Sequence, residues 1–171
     1  MYTAHADTTA TAVSDATASL YLAFSLAAQD YAVPITKVQE IREWTRVTLL
    51  PNSPRHVKGV LNMRGTIVPI IDMRLRFLLE EKSYDAFTVI VVVNVADRLA
   101  GLVVDTVSDV LRISSEERCA MSEFEGQANR PFIEGLAQVD GRLLILLDVE
   151  RLLKPEDLAT GPVLSPVPSE L

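Results

Sequence analysis

The sequence predicts an all-β protein built as two small closed barrels, and three observations carry that prediction. Apolar residues cluster in short, largely β-branched runs separated by turn-forming residues, the pattern of hairpin-linked strands. Helical spacing is confined to stretches of one or two turns. One layout also occurs twice. Gly59–Phe77 reads GVLNMRGTIVPIIDMRLRF and Gly135–Leu153 reads GLAQVDGRLLILLDVERLL, so Gly59, Gly65 and Asp72 keep the spacing of Gly135, Gly141 and Asp148. Tyr31–Ile41 lines up in the same way with Ala100–Val110. The order A–B–A′–B′ marks a duplicated unit of about seventy residues. Two copies of about five strands each are too few for a wide sandwich, whereas two barrels side by side bury the runs and remove exposed edges.

Taken in order, residues 1–19 are rich in Ala and Thr without periodicity and read as a disordered tail. Tyr21–Leu26 and Tyr31–Ile35 form a hairpin across Ala27-Ala28-Gln29-Asp30. Thr36–Ile41, with Val38 and Ile41 three apart, reads as a helical turn, and Arg46–Leu50 as a strand stopped by Pro51-Asn52-Ser53-Pro54. The central stretch then reads strand, tight turn at Asn62–Thr66, strand, and a short helix capped by Asp72. Gly65 supplies positive φ in that turn. Glu80–Asp85 is a charged loop and the boundary between halves. Thr88–Val95 and Leu99–Val104 form the next hairpin, and Asp105–Val110 repeats the helical turn. Ser115–Pro131 is the longest loop. Ile133–Val139 and Arg142–Leu147 pair across Asp140-Gly141, and Asp148 caps a helix over Asp148–Lys154. The expected organisation is a tail over 1–19, a folded region over 20–155, and a flexible tail over 156–171. Lobe one covers about 20–83 and lobe two about 84–155, with exchange of a strand between them allowed.

Composition narrows the function classes. The chain has 171 residues, 49% of them hydrophobic but only 6% aromatic, so Val, Leu and Ile must fill the core. A formal net charge of −7 opposes general binding to nucleic acid or to an anionic membrane. A single cysteine, Cys119, excludes an internal disulfide and fits a reducing compartment. The N-terminus lacks the basic and apolar regions of a signal peptide, and no run reaches the length of a membrane span.

Candidate chemistry is sparse. Of the two histidines, His5 lies in the tail and His56 in a basic loop. Cys119 has no base near it in sequence and reads as an inert thiol. Neither a metal-spaced His/Cys cluster nor a phosphate or dinucleotide motif occurs, so no metal or cofactor is expected. Asp72, Asp105 and Asp148 follow apolar strands, where carboxylates can be catalytic. Each also begins a short segment with helical spacing, and capping accounts for them. Arg64 stands at the tip of a glycine-bounded turn, opposite in sign to its counterpart Asp140. It either pairs with a local carboxylate or anchors a protein partner. Val38, Ile41 and Trp44 either pack into the core or lie partly exposed on a small helical surface.

At the level of motif, the chain resembles the CheW family of bacterial chemotaxis coupling proteins. The resemblance rests on Tyr21–Leu26, Tyr31–Ile41, Leu50-Pro51, the run Gly59–Arg74 with its N-x-R-G-x-I-V-P-I-x-D core, Gly101–Val110, Gly135 and Leu144–Asp148, and covers about residues 20–153. Met63 and Met73 stand where leucine is usual in the family, a volume-conserving change. The resemblance implies two five-stranded SH3-like barrels around separate cores with a groove between them. It implies a cytoplasmic adaptor without catalysis. Such an adaptor joins the cytoplasmic tip of a chemoreceptor to the regulatory domain of the histidine kinase CheA. It further implies receptor contacts at Val38, Glu40, Gly59 and Arg64, whereas Gly65, Asp72, Gly141 and Asp148 are read from their own positions in the repeat as structural turns and caps. The domain also occurs inside CheA and CheV, but the tails here hold no kinase or receiver module. A scaffold of a non-flagellar pathway, an aspartate-dependent hydrolase and a nucleic-acid-binding module are the other readings; the last two are opposed by the missing constellation and by the charge.

Overall fold

A computed structural model of the chain describes residues 18–120 and 132–153. Its elements run β1 (Ser19–Leu26), β2 (Gln29–Pro34), a 3-10 turn at Ile35–Lys37, β3 (Val38–Glu43), β4 (Val57–Met63), β5 (Thr66–Asp72) and α1 (Met73–Arg76). They continue with β6 (Val89–Val95), β7 (Arg98–Val104), β8 (Thr106–Ile113), a 3-10 turn at Ser115–Glu117, β9 (Arg118–Ala120), β10 (Ile133–Val139), β11 (Arg142–Leu147) and α2 (Val149–Leu152). The fold is all-β with two lobes. One lobe is a six-stranded sheet of order β8-β1-β2-β11-β10-β9, and the other a five-stranded sheet of order β3-β6-β7-β5-β4. The expected five strands each become six and five because β9, inside the segment read as a long loop, pairs with β10 through Gly135↔Ala120.

The duplication governs the geometry in detail. Four hairpins turn on two residues that both take positive φ: Ala27-Ala28, Arg64-Gly65, Ala96-Asp97 and Asp140-Gly141. Such turns match the right-handed twist of the strands they join. The parallel pair Ile70↔Gly101 of β5 and β7 recurs as Leu146↔Ala32 of β11 and β2. Bulges recur too, between Val57 and Gly59 on β4 and between Ile133 and Gly135 on β10. After β5 and β11 the backbone closes alike, Asp72 N–H donating to His56 C=O at 2.7 Å and Asp148 N–H to Phe132 C=O at 2.8 Å.

The lobes do not divide the chain at residues 83 and 84. The β1–β2 hairpin from the first copy pairs with β8 and β11 of the second, while β6–β7 from the second pairs with β3 and β5 of the first. Two more expectations change with this crossover. Thr36–Ile41 and Asp105–Val110 are not helical turns: only Ile35–Lys37 curls, and β3 and β8 follow as strands. Val38 and Ile41 mimic a helix face by spacing, but strand alternation puts them on opposite faces, with Ile41 exposed. Asp105 consequently caps no helix. Arg46–Leu50 contributes a single bridge, Thr48↔Val60, rather than a strand. The tails, residues 121–131 of the long loop and Lys154 of the last helix lie outside the described residues.

Strand alternation also explains the core. On β1, Tyr21 and Ala23 face a cluster with Ile113, Ala137, Leu144 and Leu146, whereas Leu22, Phe24 and Leu26 face the opposite way. On β6, Ile90 and Val92 join Met63, Val68, Ile70 and Val103, whereas Val91, Val93 and Val95 face the opposite way. The opposite faces meet in a third cluster, completed by Met73 of α1 and by Val149 and Leu152 of α2. Each lobe thus has its own core, and the surfaces by which the lobes face each other are packed with apolar side chains. At about 1.5–3 kcal/mol for each buried aliphatic side chain, this shared cluster holds the lobes as one unit.

Candidate functional site

Arg64 is the first residue of its hairpin turn, held at φ 54°. The turn is braced by Gly65 N–H donating to Asn62 Oδ1 at 2.9 Å. Its side chain, 77% exposed, donates from Nη2 to Glu40 Oε2. Glu40 lies on β3, at the opposite end of the strand order from the β4–β5 hairpin. The ion pair therefore records that the sheet curls until its two ends meet. Arg42 Nε lies 4.0 Å from the other oxygen of Glu40. Exposed pairs of this kind contribute at most about 1 kcal/mol to stability, so folding does not require Arg64.

Among the four residues assigned by resemblance, Glu40 and Arg64 are brought into contact. Val38 precedes Glu40 across a bulge and is half-buried against the shared core. Gly59 is different. It is buried with φ 151°, and a Cβ there would stand 2.2 Å from Thr48 C=O. Its place is the close approach that lets Thr48 and Val60 exchange backbone hydrogen bonds at 2.9 and 2.8 Å. Trp44 is half-buried, its ring 4.2 Å from that of Tyr84, so it is packing rather than an open contact.

The caps are visible directly. Asp72 Oδ1 accepts from Leu75 N–H at 3.2 Å, and Asp148 Oδ1 accepts from Glu150 N–H at 3.1 Å and Arg151 N–H at 3.2 Å. Asp72 is 2% exposed and its second oxygen accepts from Tyr84 O–H at 2.5 Å. Burial and that carboxylate push the Tyr84 hydroxyl well above the ordinary tyrosine range. No local pattern announces this contact, since Tyr84 lies in the loop read only as a charged boundary. Gly65 and Gly141 hold positive φ at 89° and 78°.

The second lobe carries a related arrangement. Its turn residue is Asp140, but the guanidinium reappears two positions on. Arg142 Nη1 lies 3.4 Å from Asp109 Oδ1 on β8, and its Nε lies 3.3 Å from Asp30 Oδ2. Asp109 occupies the position that Glu40 holds in the first copy. Elsewhere, Cys119 faces a concavity of about 730 Å³ beside Glu116, Glu117 and Arg118, whose described lining holds no histidine. Among the described residues no group of three His, Cys, Asp or Glu gathers as a metal site, and no helix is long and apolar enough to cross a membrane.

Comparison with known proteins identifies the family of the chain. A family model described as CheW-like domain matches residues 20–157. The chemotaxis protein CheW of Klebsiella aerogenes is 44% identical over 139 residues, which span 81% of this chain and 84% of the relative. A probable chemotaxis protein CheW of Rhizobium etli is 37% identical over 131 residues, 77% of this chain and 84% of the relative. Among solved structures, the scaffolding protein TtCheW from Thermoanaerobacter tengcongensis superposes with a TM-score of 0.73 at 28% identity, covering 80% of this chain and 92% of that one.

Proposed function

The chain belongs to the CheW-like domain family, and from that premise we propose that it is a chemotaxis adaptor coupling chemoreceptors to the histidine kinase CheA. It binds the cytoplasmic tip of a receptor on one surface and the regulatory domain of the kinase on another. It acts in the cytoplasm and reaches the membrane-bound array through its partners, with no insertion of its own. It works by binding alone, without catalysis, cofactor or nucleic acid.

The observation that carries this reading is the Glu40–Arg64 pair at the exposed closure of the five-stranded lobe. The pair is worth little to folding, yet it presents a planar guanidinium and a carboxylate in fixed relation. A receptor helix bearing a carboxylate can take Arg64, and a basic group on it can take Glu40. Val38 supplies apolar contact at the rim. Gly59 keeps β4 and the Thr48 segment in register beneath. Arg64→Ala is expected to weaken binding of a receptor-tip fragment by ten- to a hundredfold, about 1–3 kcal/mol. Arg64→Lys restores only part of the loss, since it keeps the charge without the fork. Titration alongside thermal melts checks this. Unchanged affinity with a lowered melting temperature would make Arg64 a structural residue.

A further inference from the structure

The reciprocal pairing of the two copies has a consequence for self-association. The first copy alone holds the β1–β2 and β4–β5 hairpins and the single strand β3. The second holds the β6–β7 hairpin, the β9–β10–β11 ladder and the single strand β8. The pairings β1–β8, β2–β11, β3–β6 and β5–β7 that assemble these pieces into sheets all run between copies. Lone hairpins are marginal in water, so each copy depends on the other to form its sheets. One covalent segment, residues 77–88, decides whether that partner comes from the same molecule.

At its start this connector packs on both copies, Phe77 stacking on Phe132 with ring centroids 5.0 Å apart; from Glu80 on it is fastened to the first copy. Arg74 Nη1 donates to Glu80 C=O at 2.9 Å. Arg55 and Lys58 reach Glu81 at 3.2 and 3.5 Å, and Tyr84 O–H donates to Asp72. Beyond Tyr84 the chain reverses in one small turn. Phe87 N–H donates to Asp85 Oδ1 at 2.8 Å, Asp85 N–H to Thr88 Oγ1 at 2.9 Å, and Thr88 N–H to Asp85 C=O at 3.2 Å. Phe87 itself is 71% exposed and contributes little to any core.

We propose that the partner for this architecture is a second copy of the same chain, and that two molecules form an exchanged dimer in which the Asp85–Thr88 turn opens and each first copy packs on the other molecule's second copy. Every strand pairing and all three apolar clusters are then repeated, and only the turn is lost. The monomer is favoured by the effective concentration of a short connector, on the order of millimolar. Opening the turn or raising the protein concentration during folding shifts the balance. Val38, Glu40, Gly59 and Arg64 all belong to the first copy, so each half of the dimer keeps the whole surface and the dimer presents it twice.

Phe87→Pro in the full-length chain tests this. Proline removes the N–H that Asp85 accepts and drives Ala86 out of the turn conformation, without touching a buried side chain. Light scattering after refolding should show a dimer fraction several-fold above that of the unmodified chain at equal concentration. A Gly/Ser insertion after Ala86 should show less than the unmodified chain. A protease site placed after Ser83 separates exchange from ordinary surface association. Cutting the connector reduces an exchanged dimer to monomer-sized particles, whereas a surface dimer keeps its size. A monomeric Phe87→Pro chain, or a dimer that survives cutting, overturns the proposal. Should that variant not fold, the chain carrying only the protease site after Ser83, refolded over a concentration series, decides: a dimer fraction that rises with concentration and collapses on cutting supports exchange, and monomer throughout, or a dimer that survives cutting, overturns it.

Discussion

An alanine at Gly59 has nowhere to put its methyl group, because Thr48 C=O already lies 2.2 Å from where it would stand. An alanine at Gly65 meets nothing within 4 Å and suffers only the cost of φ 89°. Gly59→Ala should therefore cost about 2 kcal/mol or more, combining backbone strain with displacement of the Thr48 bridge. Gly65→Ala should cost about 1 kcal/mol. Denaturant midpoints measured side by side check the difference, and equal losses would mean that the Thr48 segment simply moves aside. The two glycines were also unequally legible. Gly65 lies between two apolar runs, where its turn role is local. The constraint on Gly59 comes from a bridge to Thr48 across a proline-rich loop, which spacing alone does not disclose. Glu40 and Arg64 were each readable as surface charges, but their contact depends on the sheet closing.

At the scale of elements, the four hairpins and both capped helices were legible because their turns and caps are local chemistry. The strands β3 and β8 were not, since Val38/Ile41 and Val107/Val110 carry a helix-like spacing that strand pairing overrides. Where β7 passes into β8, Asp105 binds pieces of both lobes. Arg74 donates to it from Nε at 2.8 Å and from Nη2 at 2.6 Å, and Ala27 N–H donates at 2.9 Å. Burial pushes the Asp105 carboxyl up, but Arg74 and the Ala27 N–H outweigh it and hold the group below its ordinary value. A carboxylate lowered in the folded state stabilises above its unfolded pKa of about 4, and that contribution is lost as pH falls through the folded value. Asp105→Asn should thus cost about 2 kcal/mol at pH 7. The gap to the unmodified chain should narrow below pH 4. An undiminished gap in acid would show that the charge is not what matters there.

At the scale of the whole molecule, the duplication was visible in Gly59/Gly135, Gly65/Gly141 and Asp72/Asp148, and so was the all-β class. The crossing of strands between lobes was only an allowed possibility, because sheet partners far apart in sequence leave no local mark. The crossing matters for the proposed adaptor role, because two lobes sharing a packed core form one body. The direct test of that role is assembly. A receptor-tip fragment and the kinase regulatory domain are mixed with and without the chain and followed by sedimentation velocity. The account predicts a ternary particle that forms only when the chain is present and is lost with Arg64→Ala, while the chain–kinase complex persists. Binding of the chain to neither partner, or a ternary particle indifferent to Arg64, would contradict it.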